Sequence, residues 1–218
     1  MNIAFASHCQ QGLRDENQDR TGVILDARKA CFVVCDGVAG LPGGDQAAQL
    51  VCDVLIEQLQ DCEQVTPAVT HQAVEKCRSI LEMAQGNNPN FSTMCTTLAG
   101  LFIDRTRQRA WWAHAGDSRV YHFRHGVLNE VTRDHSLAQK LSDAGYENTG
   151  INSNLLYNAL GIEPAHPVTF ADEILLEDGD AFLVCSDGFW LNLTTTEMEQ
   201  ALRMVNDCDC LLYTSDAA

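Results

Sequence analysis

The chain has 218 residues, of which 45% are hydrophobic and 20% are charged. This composition predicts an ordinary globular domain and excludes collagen, coiled coil and disordered chains. Fourteen Lys and Arg against 30 Asp and Glu give a formal net charge of −16, which would repel a nucleic-acid duplex or an anionic lipid surface. No stretch approaches the ~20 apolar residues of a membrane helix, and no signal peptide is predicted at the start. We therefore expect neither nucleic acid nor a membrane as a partner.

The ten cysteines do not follow the spacing of a disulfide framework or of a zinc site. Several of them lie within apolar runs, where a free Cys behaves as a small hydrophobic residue. These are Cys31, Cys35, Cys95 and Cys185. We therefore expect reduced thiols and a cytoplasmic protein.

The first part of the chain predicts three strands, at residues 2–7, 19–25 and 30–35. The third is a short apolar run that ends in Asp36-Gly37, which is typical of a buried strand followed by a turn. After Gly43-Gly44 the apolar residues recur at helical spacing. They are Ala47, Val51, Val54, Leu55 and Leu59.

A second helix is predicted to begin at Thr66-Pro67, with Thr66 as the N-cap and Pro67 in the first turn. It is expected to end at Gly86. Strands follow at residues 94–103 and 109–115. The polar turn at 104–108 joins them, so we expect an antiparallel hairpin.

The rest of the chain predicts a strand at 118–124, a helix at 135–144, an irregular segment at 145–153, and strands at 168–175 and 181–185. Thr194-x-x-Glu197 is a capping box before a last helix. Strands joined by hairpins, together with paired helices, predict an α+β fold. Its antiparallel sheets would be covered by helices, unlike a doubly wound parallel sheet.

The last residues, 210–218, follow no hydrophobic period and are similar to a translated sequencing-adapter read-through. We treat them as a non-native tail. The predicted domain is therefore residues 1–209, with its natural C-terminal end missing.

Four aspartates are predicted at strand ends or turns: Asp19, Asp36, Asp117 and Asp187. A carboxylate at the end of a buried strand is costly when unpaired. Each one alone could be a turn Asp that caps its own backbone. Four together, with no matching basic cluster, indicate a hard divalent cation such as Mg²⁺ or Mn²⁺. Gly37 would let a backbone carbonyl approach the metal as well.

Arg14 lies on the polar loop at residues 12–19. Its guanidinium is a fork that fits a phosphate group and stays charged at any working pH. The alternative is an ordinary solvent-exposed arginine, and this residue alone does not separate the two.

Seven segments occur together in one order. They are RDENQD (14–19), VCDGVAGLPGGD (34–45), MCTTL (94–98), AGDSRVY (115–121), TRDHS (132–136), ALG (159–161) and LVCSDGF (183–189). Together they resemble the metal-dependent protein serine/threonine phosphatase family (PPM or PP2C type) in its bacterial form. The resemblance extends from about Ser7 to about Val205.

The resemblance implies a β-sandwich of two antiparallel sheets with a pair of helices on each outer face. It further implies that Asp36 bridges two Mn²⁺ or Mg²⁺ ions and that the Gly37 carbonyl binds one of them. Asp19 would support this centre, mainly through water, and Asp187 would bind the second ion. Asp117 together with Asp187 corresponds to a weaker third-metal site.

The implied activity is hydrolysis of phosphoserine and phosphothreonine by direct attack of a water activated between two metal ions. Arg14 corresponds to the arginine that holds the phosphate, and it acts with Asp36 in catalysis. The expected partner is a phosphorylated protein, namely a Ser/Thr kinase or its target. The expected oligomeric state is a monomer.

The sequence departs from the family pattern at two informative places. Val38 lies where eukaryotic members carry a histidine, so another group or a bound water must donate the proton. The family closes with an Asp-Asn motif whose Asp completes the second metal site, and this chain stops before it. On that basis the chain as given is expected to be nearly inactive and poorly soluble. The alternative function is a catalytically inactive regulatory or binding module; a phosphatase of small phosphoesters is more remote.

Overall fold

The structure is a computed structural model that describes residues 1–12, 16–146, 150–152, 155–204 and 208. The strands in chain order are β1 (Asp19–Leu25), β2 (Lys29–Asp36), β3 (Leu98–Asp104), β4 (Arg109–Ala115), β5 (Arg119–Arg124), β6 (Val127–Val131), β7 (Thr169–Phe170), β8 (Ile174–Leu175) and β9 (Asp180–Cys185). The helices are α1 (Gly44–Gln60), α2 (Pro67–Asn87), α3 (Leu137–Asp143), α4 (Asp187–Trp190) and α5 (Thr195–Met204), with one 3-10 turn at Pro89–Phe91.

The strands form two antiparallel sheets that pack face to face. The first has the order β1-β2-β3-β4, with β7 and β8 both pairing with β4, and the second has the order β6-β5-β9. Alternate residues of the first sheet, such as Leu101 and Trp112, form one apolar cluster with Val120, Phe182 and Val184 of the second sheet. The predicted α+β sandwich with antiparallel sheets is therefore confirmed.

The pair α1 and α2 covers the outer face of the first sheet. The side chains that point outward from this sheet, such as Cys31, Phe102 and Trp111, join the apolar faces of both helices in the largest core cluster. As predicted, α2 begins after Thr66, whose hydroxyl accepts a hydrogen bond from the Val69 N–H.

The outer face of the second sheet packs against α4 and α5. Tyr121, Phe123 and Cys185 of the sheet cluster there with Met198 of α5. The predicted capping box is present, because the Thr194 N–H donates to Glu197 Oε2 at 2.8 Å and the Glu197 N–H donates to Thr194 Oγ1 at 3.3 Å. Two helical segments thus lie on each outer face of the described domain.

The prediction of a strand at residues 2–7 is wrong. This segment has no strand pairing; instead Ile3 packs against the core between the sheets, and Phe5 contacts Phe32 with ring centroids 5.6 Å apart. Side-chain packing on the sandwich accounts for the apolar alternation that suggested a strand.

Other element boundaries also differ from the predictions. The strand predicted from residue 94 begins at Leu98, because Thr96 forms isolated bridges with Gly37 and Leu160 instead. The strand predicted at 168–175 is divided into β7 and β8, and the helix predicted at 135–144 begins after its N-cap Ser136. The polar strand β6 was not predicted because its weak apolar alternation carries little signal.

Candidate active site

The first two predicted aspartates lie side by side on adjacent strands. β1 and β2 pair so that Asp19 is directly opposite Asp36, and directly opposite residues of an antiparallel pair extend from the same face of the sheet. Ser186, at the end of β9, donates its hydroxyl to Asp19 Oδ2 at 2.7 Å. This hydrogen bond ties the edge of the first sheet to the segment that carries Asp187.

Two threonines hold the backbone of Asp36. The Asp36 carbonyl oxygen accepts from the Thr97 N–H at 2.8 Å and from Thr96 Oγ1 at 2.9 Å, and the Asp36 N–H donates to Thr97 Oγ1 at 3.0 Å. Thr97 Oγ1 also shares a 2.7 Å hydrogen bond with Ser118 Oγ, next to Asp117. We assigned these threonines no role from the sequence. The only available signal was their place in the MCTTL segment.

Gly37 is required by close packing. A Cβ on this residue would lie 2.3 Å from the backbone carbonyl carbon of Gly44, at the beginning of α1. Real Cβ contacts essentially never come this close, so any side chain would displace the helix. The sequence suggested a different reason for glycine here, the approach of a carbonyl to a metal. The contact with Gly44 is sufficient without it.

Asp117 and Asp187 enter the same region from the second sheet. Asp117 lies in the turn between β4 and β5 and is only 7% exposed, whereas Asp187 is the first residue of α4. The preceding Gly116 has a φ of 103°, and a Cβ there would lie 2.7 Å from Thr97 Cγ2. The turn therefore needs glycine in order to bring Asp117 against the strand ends.

The four carboxylates interact as one electrostatic group. Burial, followed by the charges of Asp19, Asp187 and Asp117, raises the pKa of Asp36 to about 9. Burial and the charge of Asp187, together with that of Asp134, raise the pKa of Asp117 to about 7. The structure therefore brings together all four predicted aspartates.

The nearby cation Arg119 does not neutralise this group. Its guanidinium forms two hydrogen bonds with Asp134, at 2.7 and 2.8 Å, and it lowers the pKa of Asp117 less than burial and the acidic neighbours raise it. Within the described ranges, no three His, Cys, Asp or Glu side chains form a ready-made metal cluster. The oxygen-only character of the four side chains fits Mg²⁺ or Mn²⁺.

His135 is hydrogen-bonded on both ring nitrogens. Nδ1 accepts from the Gly116 N–H at 3.3 Å, and Nε2 contacts Thr169 Oγ1 at 3.1 Å. The ring stacks on His114 with centroids 4.5 Å apart, and burial together with His114 lowers the pKa of His135 to about 4. These contacts give His135 a structural role, because both ring nitrogens are occupied by neighbouring protein groups.

Two predictions fall on parts of the chain that are not described. Arg14 lies outside the described residues, as do residues 210–218, so the phosphate-holding role of Arg14 and the non-native tail stay predictions.

The eight cysteines from Cys9 to Cys185 are free thiols. Among the described residues, every helix is too short or too polar to cross a membrane.

Comparison with known proteins decides the family. The family model described as protein phosphatase 2C matches residues 6–208, nearly the whole chain. This chain belongs to the protein phosphatase 2C family. The resemblance stated from the seven segments is therefore confirmed.

Two bacterial phosphatases are similar in sequence to this chain. It is 27% identical over 203 residues to the serine/threonine phosphatase stp of Listeria monocytogenes, covering 88% of this chain and 79% of the relative. It is 30% identical over 194 residues to the serine/threonine protein phosphatase PstP of Mycobacterium tuberculosis, covering 85% of this chain and 36% of the relative.

Solved structures share the fold. The crystal structure of the M. tuberculosis phosphatase PstP/Ppp is 27% identical with a TM-score of 0.81, and the alignment covers 96% of this chain and 90% of that one. The PstP catalytic domain in complex with 2 manganese ions is 28% identical with a TM-score of 0.80, covering 97% and 89%. PppA, a key regulatory component of T6SS in Pseudomonas aeruginosa, is 27% identical with a TM-score of 0.78, covering 97% and 88%.

Proposed function

We propose that this member of the protein phosphatase 2C family is a serine/threonine protein phosphatase that hydrolyses phosphoserine and phosphothreonine in proteins. The observation that carries the proposal is the convergence of Asp19, Asp36, Asp117 and Asp187 at one end of the sandwich. The relatives named serine/threonine phosphatases support it. The comparisons do not favour the alternative of an inactive module, and nothing in them supports the expectation that the chain is nearly inactive.

We further propose two Mn²⁺ or Mg²⁺ ions as cofactors, with a weaker third ion between Asp117 and Asp187. Asp36, the Gly37 carbonyl and Asp187 would hold these two ions. Asp19 would support the two ions through water. When bound, the ions supply an activated water for direct attack on phosphorus and neutralise charge on the transferring group. The manganese-containing PstP structure supports this choice of cofactor.

The protein's own residues prepare this chemistry. The threonine hydrogen bonds fix the backbone from which the Asp36 side chain extends, and the Ser186 hydrogen bond orients the Asp19 carboxylate. Because Asp36 and Asp117 are largely buried at the strand ends, few water molecules can compete with a bound ion for their carboxylate oxygens. Arg14 would hold the substrate phosphate with its two-pronged guanidinium.

We also propose a phosphorylated protein as the partner, either a Ser/Thr kinase or its target. We propose that the protein is a monomer with a single domain at residues 1–209 and that it acts in the cytoplasm. The free thiols are compatible with a reducing compartment. The acidic surface makes nucleic acid and anionic membranes poor partners.

The test is Mn²⁺-dependent release of phosphate from a phosphothreonine peptide by the full chain and by Asp36→Asn. We expect Asp36→Asn to lower the rate by at least about 100-fold, because the amide carries no charge to hold the cations. The matched control is Asp53→Asn, which changes an exposed carboxylate on α1 and should retain the wild-type rate. Arg14→Ala in the same assay should mainly raise KM.

Two results would contradict the proposal. The first is wild-type turnover that is unchanged by a chelator, which would remove the metal from the mechanism. The second is equal rates for Asp36→Asn and Asp53→Asn, which would place the active site elsewhere.

A further inference from the structure

A hydrogen bond links the turn that carries Asp117 to the helix that begins with Asp187. Asp187 begins α4, and Trp190, one helical turn later, donates its indole Nε1–H to the Asp117 carbonyl oxygen at 2.9 Å. The turn after β4 and the helix after β9 are thus tied to each other beside the two carboxylates. These segments are 70 residues apart in sequence, so the tie is entirely tertiary.

Arg119 holds the indole of Trp190 in place. The guanidinium carbon of Arg119 lies 3.4 Å from the centroid of the Trp190 ring, a distance typical of a strong cation–π contact. Asp134 fixes the guanidinium through two hydrogen bonds, and the Tyr121 hydroxyl accepts a third at 2.9 Å. With Asp134 buried, this bidentate pair has few alternative arrangements.

The tie opposes a repulsion that the site itself creates. Asp117 and Asp187 are both acidic, and two carboxylates held close together repel each other. Two flexible segments with like charges would move apart, and the cation that they share would then have to close the gap on binding. A link through a rigid indole reduces that rearrangement.

We propose that Trp190 is a positioning residue that holds Asp117 next to Asp187 for a shared divalent cation, with Arg119 as the platform on which its indole rests. This inference rests on the proposed function. It goes beyond that function by assigning Trp190, Arg119 and Asp134 to the affinity for the ion. None of the three touches the ion or the substrate in this role.

The test replaces Trp190 with Phe, which keeps a ring under Arg119 and removes only the indole N–H and part of the surface. The matched control is Trp111→Phe. Trp111 also donates its indole N–H to a protein oxygen, Thr70 Oγ1 at 3.0 Å, but it lies in the core under α1 and α2. Both variants lose one indole hydrogen bond, and only Trp190→Phe loses the link between α4 and the turn that carries Asp117.

Mn²⁺ binding is measured directly, by calorimetry and by the EPR signal of free Mn²⁺, and peptide hydrolysis is measured as a function of Mn²⁺. For Trp190→Phe we expect the half-saturating Mn²⁺ concentration of the weakest site to rise by about tenfold, as for other residues that support metal ligands. At saturating Mn²⁺ the KM for the peptide should be unchanged. Trp111→Phe should lower the melting temperature without changing Mn²⁺ binding.

Equal Mn²⁺ affinities for the two Phe variants would overturn the inference, as would a change confined to the peptide KM. If Trp190→Phe does not fold, Arg119→Lys takes its place, because it keeps the charge and loses the two-pronged bond with Asp134. Unchanged Mn²⁺ affinity in Arg119→Lys would then overturn the inference. A wild-type protein that neither binds Mn²⁺ nor hydrolyses the peptide would overturn the proposed function itself, which is a separate result.

Discussion

Replacing Asp117 with Asn should stabilise the metal-free protein while it weakens metal binding. Burial and the charges of Asp187 and Asp134 raise the pKa of Asp117 from its ordinary value of 3.8 to about 7. Its contribution to stability is therefore fully present below the unfolded value and is lost as the pH rises through about 7. An asparagine of similar size never becomes charged, so the variant does not lose this stability as the pH rises.

The magnitude follows from that pKa. One pKa unit corresponds to about 1.36 kcal/mol, so the full effect above neutral pH is roughly 4 kcal/mol. Asp117 is only 7% exposed, so solvent screening removes little of it. Because residual interactions in the unfolded chain reduce such differences, we expect a gain of about 2 to 4 kcal/mol for Asp117→Asn. For a domain of this size each kcal/mol corresponds to about 2–4 °C in melting temperature.

The assay is urea unfolding in the presence of a chelator at about pH 5 and about pH 8, where the carboxylate effect differs most. We expect the advantage of Asp117→Asn to be large at the higher pH and to shrink at the lower one. With millimolar Mn²⁺ the wild type should regain the difference, because a bound cation stabilises the native state that holds it. Asp53→Asn, on an exposed carboxylate, is the control and should show neither effect. An advantage that does not depend on pH would refute the reasoning.

Two further predictions concern the elements that frame the site. Gly37→Ala should lower the free energy of unfolding by about 3 kcal/mol or more, since its Cβ would overlap Gly44. The matched control is Gly86→Ala, whose Cβ would meet no atom within 4 Å. This control should stabilise α2 by about 0.5–1 kcal/mol. Equal thermal melts for the two variants would contradict the packing argument. Thr66→Ala should lower stability by about 1 kcal/mol in urea unfolding, because the Val69 N–H loses its acceptor, and an unchanged midpoint would show that water replaces the cap.

Local patterns in the sequence were sufficient for most elements of the fold. The apolar run before Asp36, the helical spacing after Gly44 and the Thr66-Pro67 start each depend on neighbours within a few residues. The same holds for the capping box at Thr194. Such features are visible in sequence because backbone periodicity and end-capping are local properties.

Where local signals were weak or ambiguous, the prediction failed. The apolar residues at 2–7 alternate like those of a strand, yet Ile3 and Phe5 pack on the sandwich without strand pairing. β6 is polar and was not predicted, although pairing with β5 makes it a strand. In both cases neighbouring elements, and not the segment itself, decide the conformation.

The sequence by itself predicted that four aspartates would share one site, because a carboxylate at the end of a buried strand needs a partner. Only the tertiary structure decided that Asp19 lies opposite Asp36, that Gly37 contacts Gly44, and that Trp190 reaches Asp117. These contacts join residues that are distant along the chain. They depend on strand register and on the packing of helices against sheets, which no local pattern encodes, because a one-residue change of register would turn each side chain to the opposite face.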